Sequence, residues 1–488
     1  MTTNSSNRQN LGAHAVVIGG SMAGLLAARV LSERFERVTI VEKDHFPATA
    51  ENRKGVPQGR HVHGLLTGGF HAMQSLFPGL EAELLQAGAP AGDLTGSFRW
   101  HQFGRYKARF ESGLGGITIS RPLLEATLRA RVLALPNVEV REGARVHGLL
   151  STPDRRTVTG VRLQRQGEDG EALHADLTLD ASGRGSRTPT WLEALGYERP
   201  AEDEIHIDVM YASRTYTRKP GDLGGDIGCL SALGKRTAAA VAVEGDRWHV
   251  MLGGFLGDHP PTDEAGYLAF AQSLPASDVY DLIRDAEPLS DVVTHRFPSS
   301  LRRRYERMDR FPEGLVVAGD AVCSFNPVYG QGMSVAALEA LALRDCLNAQ
   351  ADSVLGLPAR FFEQAAKVVD TPWRLAAGAD LALPGVKTSD GAPKRSVAAA
   401  LTERYLAGLH AAASHDEVVC RAFFEVVNLL APPSALFHPR VALRVLRAGL
   451  AERRPLSAVS LVPDDLAFDD LTADAPVWQA QLVERNDS

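Results

Sequence analysis

The sequence predicts an α/β protein: a Rossmann-like dinucleotide-binding domain with an inserted antiparallel β-sheet and a helical carboxyl-terminal region. Three observations predict it. Residues 13–44, AHAVVIGGSMAGLLAARVLSERFERVTIVEKD, pass from apolar strand to glycine turn to helix to second strand. Two further apolar segments run into glycine turns, LTLDASGRGS at 177–186 and GLVVAGDA at 314–321. Between 201 and 300 the pattern is strand-like, and after about 350 it turns helical. The expected organisation is therefore 10–200 for the nucleotide domain, interrupted by strands near 95–120, then 201–300 for the inserted sheet. The nucleotide domain returns at 301–350, and 351–488 is the helical region.

His14–Ile18 is the Val- and Ile-rich run of a buried parallel strand, and it breaks at Gly19-Gly20. From Met22 the small and aliphatic residues AGLLAARVLSE suit a helix lying close on the sheet, Gly24 permitting the approach. The loop Gly19, Gly20, Ser21, Met22, Ala23, Gly24 thus aims free N–H groups and a positive helix end at an anion such as a pyrophosphate. Ser21 stands where the usual Gly-x-Gly-x-x-Gly has its middle glycine. Its backbone N–H remains, and its hydroxyl can cap the helix or touch a phosphate. The second strand, Val38–Val41, ends at Glu42, with Lys43 beside it. Glu42 lies 23 residues after Gly19, the distance at which an acid reaches a ribose hydroxyl.

Further along, Arg53, Lys54 and Arg60 make a basic loop that either approaches phosphates or is solvated surface. Trp100, Phe103, Tyr106 and Phe110 alternate with polar residues, as in a sheet over a cavity or any half-buried strand pair. Arg121 opens a helix after a strand in ITISRPLLEATL. In the middle of the chain DVMYASRTYT, RTAAAVAVEG and RWHVMLGGF, separated by turn residues, read as antiparallel strands. Met210, Tyr211, Val250, Leu252 and Phe255 among them are either cavity wall or sheet core. The strand at 314–318 delivers Gly319 and Asp320 at its carboxyl end, where Asp320 is placed to accept from a hydroxyl. NPVYGQGM, 326–333, then leads into the helical run SVAALEALALRDCL, whose N-terminus faces an anionic edge. Cys323 has no evident base and reads as packing. FFEQAAKVVD, SVAAALTERYLAGLHAA and EVVCRAFFEVVNLL read as helices with proline interruptions between them. The basic amphipathic PRVALRVLRAGLAERR reads as a core-facing helix with a solvated Arg face rather than a membrane-surface one.

Composition narrows the function. At 44% hydrophobic and 23% charged, 488 residues make an ordinary globular chain. A net charge of −7 argues against a nucleic-acid partner and for a small one. Four scattered cysteines suggest neither a disulfide framework nor a metal site, and a reducing cytoplasm is expected. No secretory leader or transmembrane run is read.

GGSMAG with Glu42, DASGRGS, and GDA followed by NPVYGQGM resemble the FAD-dependent monooxygenases of the para-hydroxybenzoate hydroxylase type. RKGVPQGRHVHGLL, 53–66, with FNPVYGQGMS more narrowly resembles the bacterial flavin epoxidases of polyether and polyketide biosynthesis, relatives of squalene epoxidase. The resemblance covers about residues 13–345. It implies that the Rossmann-like part is a FAD-binding domain and the inserted sheet a substrate domain. The glycine loop and Glu42 would hold the ADP half of FAD. Asp180 and Gly183 would lie near the pyrophosphate, and Asp320 would hold ribityl or ribose hydroxyls. Pro327, Gly330, Gln331, Gly332 and Met333 would line the isoalloxazine. Arg53 and Arg121 would approach flavin phosphates, although a helix-start Arg held by surface carboxylates fits Arg121 equally. Of His61 and His63, expected on opposite sides of a strand, one would sit near the flavin edge and one would be structural. The implied activity is epoxidation or hydroxylation of a hydrophobic polyketide or terpenoid with O2, through a flavin hydroperoxide. NAD(P)H would supply electrons directly or through a separate flavin reductase. No catalytic acid or base is assigned. Reduction of isoprenoid-type substrates uses the same motifs, and a non-enzymatic flavin-binding protein is the remaining class. Halogenation is disfavoured because no Trp-x-Trp-x-Ile-Pro segment is found; Arg247-Trp248-His249-Val250 does not match.

Overall fold

The structure, a computed structural model, describes residues 10–165, 170–389, 391 and 397–451. A five-stranded parallel sheet runs in the order Leu315–Val317, Leu177–Asp180, Gly12–Ile18, Phe35–Val41, Val138–Arg141. Ile18 pairs with Asp180, and Asp180 with Val317, so the three glycine-bearing turns leave the same carboxyl edge side by side. The first strand is apolar without alternation because both its faces are covered. Ala15 and Val17 pack with Leu25 and Leu26 of the helix Met22–Leu31. Val16 and Ile18 face Val161, Leu163 and Leu173 of a three-stranded sheet, 144–174, that the sequence reading passed over.

The inserted sheet has as its spine the 16-residue strand Glu202–Thr217, paired antiparallel with Arg247–Phe255 on one side and Val293–Arg303 on the other. Arg236–Val243 and Gly228–Leu233 continue it antiparallel, and Phe98–Gln102 then joins Gly228–Leu233 in parallel. That one parallel pairing arises because the 98–102 strand comes from the earlier part of the chain and is no hairpin partner. One face of the sheet, with Ala212, Trp248, Val250 and Leu252, packs on Tyr267 and Phe270 of the helix Glu264–Gln272 and on Ile283 of Asp278–Ile283. The other face, with Tyr211, Ala239, Met251 and Phe255, belongs to the main core shared with the parallel-sheet region.

The helices Gly332–Asn348 and Met22–Leu31 pack together, the former also against Thr67–Leu76 and Leu357–Leu381. The carboxyl-terminal region contains helices Leu357–Leu381, Val397–Ala412, Glu417–Val427 and Pro439–Ala451. Two details differ from expectation. Pro372 sits inside the Leu357–Leu381 helix and does not end it, being buried against the core where packing outweighs the lost backbone bond. A two-residue strand, Lys387–Thr388, adds to the edge of Glu202–Thr217 in a region read as purely helical. Trp100 stacks edge-on to Phe423 and Phe424, at 5.8 and 5.5 Å between ring centres, and so ties the inserted sheet to these helices. No helix among the described residues is long and apolar enough to cross a membrane. The run PRVALRVLRAGLAERR is described as far as Ala451: Val441 and Val445 are buried while Leu443 and Leu446 are exposed.

Candidate functional site

Backbone demands fix the first turn. Gly19 has φ +99°, and a Cβ there would lie 2.6 Å from the carbonyl of Ala181. A Cβ on Gly24 would fall 1.8 Å from the Gly19 carbonyl, so the helix can start under the loop only with glycine. Ser21 is the N-cap residue, but its side chain does not cap. Its hydroxyl donates to Glu125 Oε2 at 2.7 Å and accepts from Arg121 Nη2 at 2.8 Å. The serine in place of glycine therefore anchors the loop to the helix Arg121–Leu133. Met22 is buried behind the loop, and Ala23 meets the neighbouring turn, 2.7 Å from where a Cβ on Gly319 would stand.

Glu42, buried at the end of the second strand, accepts the Gly20 N–H at 2.8 Å and the Asp44 N–H at 3.0 Å. Lys43 is exposed. Arg53, expected on a loop, is buried with its side chain 6% exposed and reaches Glu125 at 2.9 Å and Glu42 at 3.2 Å. It also lies 5.4 Å from the centre of the Phe46 ring. The solvated-surface reading of Arg53 thus gives way to a buried one. Arg121 is likewise held by a carboxylate, but by the buried Glu125 four residues on, at 3.1 Å. Burial would raise the Glu125 carboxyl, and Arg121 and Arg53 together hold it below its ordinary value. Glu125 was not anticipated from sequence; its i, i+4 spacing to Arg121 was the available signal.

Asp180 is completely buried and spends its carboxylate on its own turn, accepting from Ser182 N, Ser186 Oγ and Thr188 Oγ1 at 2.9, 2.6 and 2.5 Å. Its role is to shape the turn in which Gly183 adopts φ +84°. At the third turn Gly319 has φ +66°, and its N–H donates to Glu339 Oε2 at 2.7 Å. Glu339 is buried on the 332–348 helix, and burial pushes its carboxyl up to about 8. Asp320 differs from these acids. It is half-buried at the carboxyl edge, desolvation raises its pKa against the pull of Arg121 and Arg184, and it accepts no hydrogen bond from the described protein. One of its oxygens is 3.7 Å from where a Cβ on Gly332 would stand, at the start of the 332–348 helix. A half-buried acid beside a helix N-terminus, with no protein donor of its own, suits a ligand's hydroxyl groups.

Residues 327–329 form a 3₁₀ turn, Asn326 Oδ1 accepting the Val328 N–H at 3.1 Å, and Gly330 follows at φ +65°. Gly330 crosses Gly64: a Cβ on Gly64 would lie 3.3 Å from the Gly330 Cα. Gln331 and Met333 are buried, and Gln331 Oε1 lacks a protein partner. Behind the turn runs a network unforeseen in the sequence. Tyr211 donates to Asn326 Oδ1 at 3.2 Å, while Asn326 Nδ2 and the Tyr329 hydroxyl both donate to Asp380 Oδ1 at 2.8 Å. Asp380, on the 357–381 helix, is fully buried with Oδ2 unpartnered, and burial raises its carboxyl to about 6.

His61 and His63 lie on irregular backbone rather than on a strand. His61 Nδ1 bonds Ser213 Oγ at 2.8 Å, and His63 Nδ1 bonds the His61 carbonyl at 2.9 Å. Strand alternation sorts the expected wall residues. Tyr211 and Phe255 are on the face toward the nucleotide domain, whereas Val250 and Leu252, and by parity Met210, are on the opposite face. Cys323 is buried packing, its thiol pushed up by burial.

The three adjacent turns, the unpartnered Asp320 and the paired arginines at the first turn fit a flavin dinucleotide, with Asp320 for its hydroxyls and the Gly19–Gly24 loop for its pyrophosphate. Comparison with known proteins agrees. Residues 13–352 match the family described as FAD binding domain. Protein Rv3254 of Mycobacterium tuberculosis is 34% identical over 469 residues, 90% of this chain and 95% of that protein. Kynurenine 3-monooxygenase of Salinispora tropica is 26% identical over 375 residues, 70% of this chain and 74% of the enzyme. Among solved structures, a flavoprotein/dehydrogenase from Cytophaga hutchinsonii superposes with a TM-score of 0.63 at 15% identity, covering 90% of this chain and 98% of the other, which speaks for the fold.

Proposed function

Because the chain belongs to the FAD binding domain family, we propose that it is an FAD-dependent monooxygenase that epoxidises or hydroxylates a small organic substrate held against the inner face of the inserted sheet. The observation that carries this reading is Asp320, a half-buried carboxylate with no protein donor at the edge where three glycine turns meet. FAD, when bound, supplies the redox chemistry and the activation of O2. The chain's own residues do the rest. Glu42 and the 19–24 loop take the adenosine and pyrophosphate, with Arg53 and Arg121 offsetting phosphate charge, and Asp320 takes sugar-alcohol hydroxyls. The backbone around Pro327 and Gly330–Met333 abuts the ring, and the covering sheet keeps water from the reacting centre. NAD(P)H is the electron source, used directly or through a flavin reductase.

The test is to reduce the purified holoprotein without oxygen and mix it with ¹⁸O-labelled O2 and candidate alkenes or arenes. One ¹⁸O atom in the product is expected. A product that has gained hydrogen but no ¹⁸O would make the protein a reductase.

A further inference from the structure

The inner face of the inserted sheet is furnished with polar groups where a hydrocarbon cavity was expected. Along it positions 211, 213, 215, 249, 251 and 295 carry Tyr, Ser, Thr, His, Met and His, as the strand pairings of Tyr211 with His295 and of Thr215 with His249 require. His61 joins them from the 61–66 loop, with its ring 5.7 Å from that of His295 and 6.1 Å from that of Tyr211. The same loop crosses Gly330, so these rings stand beside the turn that the reading above places against the flavin. His249 and His295 are half-buried, and among the described residues neither ring makes a protein hydrogen bond. Their nitrogens are also not sealed away from a ligand, since neither is among the fully buried unpartnered atoms. The rings do not converge as metal ligands either: among the described residues no three His, Cys, Asp or Glu side chains do.

We propose that His61, His249 and His295 form a hydrogen-bonding substrate subsite, and that its ligand is an uncharged molecule bearing at least two hydroxyl or carbonyl oxygens. This rests on the flavin reading only for which wall of the chamber the reaction occupies. Burial holds His61 and His249 down to about 4, so both rings are neutral at pH 7: His249 offers one donor and one acceptor nitrogen, and His61, whose Nδ1 is bonded to Ser213 Oγ, offers Nε2. A hydrocarbon would strip water from those nitrogens and return nothing. A zwitterionic amino acid such as kynurenine would need a desolvated cation and anion as partners. Arg247, beside His249, is taken by Glu244 at 2.9 Å, and no carboxylate is among the charges that act on His61 or His295, so an ammonium group would find no partner there.

Equilibrium dialysis of the holoprotein against three probes tests this: 1,8-dihydroxyanthraquinone, anthracene and kynurenine. Dihydroxyanthraquinone is expected to bind saturably and the other two at least tenfold more weakly. His249→Phe and His295→Phe are each expected to weaken dihydroxyanthraquinone by about tenfold, the size of one lost hydrogen bond, and His249→Gln and His295→Gln to recover most of it. Thermal melts confirm that each variant is folded. Tighter binding of anthracene or kynurenine, or equal binding by parent and folded Phe variants, overturns the proposal. Dialysis needs neither turnover nor oxygen, so probe binding alongside a failed ¹⁸O experiment would count against the oxygenase reading alone.

Discussion

Asp320 and Asp180 are both aspartates at strand ends, yet one has spent its hydrogen-bonding capacity on its own turn and the other has not. Asp320→Ala is therefore expected to fold and to purify with FAD affinity reduced tenfold or more, read as flavin absorbance per protein. Asp180→Ala is expected to lose stability instead, by about 1–3 kcal/mol in denaturant titration, because three donors lose their acceptor. Asp380 gives a pH signature. Its folded carboxyl keeps a proton to about 6 against an ordinary 3.8, so the folded state binds more protons between those values and stability falls as pH rises through them. Asp380→Asn should remove up to about 3 kcal/mol of that slope, visible as a higher Tm than the parent at pH 8 and convergence near pH 4. Which residues were legible follows from where their constraints lie. Gly19, Gly24 and Gly319 obey local backbone geometry, and the sequence displays it. Glu125 and Asp380 matter through Ser21, 104 residues away, and Asn326, 54 residues away, and nothing local announces such partners.

Among elements, the inserted sheet was legible as strands but not as two faces of different purpose. Val250 and Leu252 looked like cavity wall because they are apolar, and their parity with Trp248 assigns them to the helix-covered side. The helical region was legible from periodicity, except where Pro372 lies inside a helix that tertiary packing sustains. Its docking onto the segment after Phe98–Gln102 uses Lys107, 4% exposed, which donates to His410 Nδ1 at 2.8 Å and lies 5.2 Å from the Phe423 ring centre. Burial lowers this ammonium from 10.5 to about 8, so the unfolded chain binds more protons between those values and stability rises with pH across them. Lys107→Met is expected to raise Tm at pH 7, by up to about 3 kcal/mol of stability, with the gain vanishing near pH 10.5. A lower Tm at pH 7 would mean that the bonds to His410 outweigh the buried charge.

For the whole molecule, three turns from strands more than 130 residues apart in sequence meet at one edge, so a dinucleotide laid across them should bind the folded state alone. At a free FAD concentration of 100 times Kd the apoprotein should gain about 2.7 kcal/mol, a rise in Tm that a tenfold affinity loss in Asp320→Ala cuts to about half or less at the same FAD concentration. The contact between Gly64 and Gly330 then acquires a meaning of its own. Where the histidine-bearing loop and the ring-side turn touch through bare backbone, there is no side chain to take up slack, and the distance from substrate to oxidant is set at a single point. A methyl group at Gly64, in Gly64→Ala, would prise the two apart by a few tenths of an ångström. The expected result is leakage: O2 and reductant still consumed, hydrogen peroxide released, and less product formed for each electron pair spent.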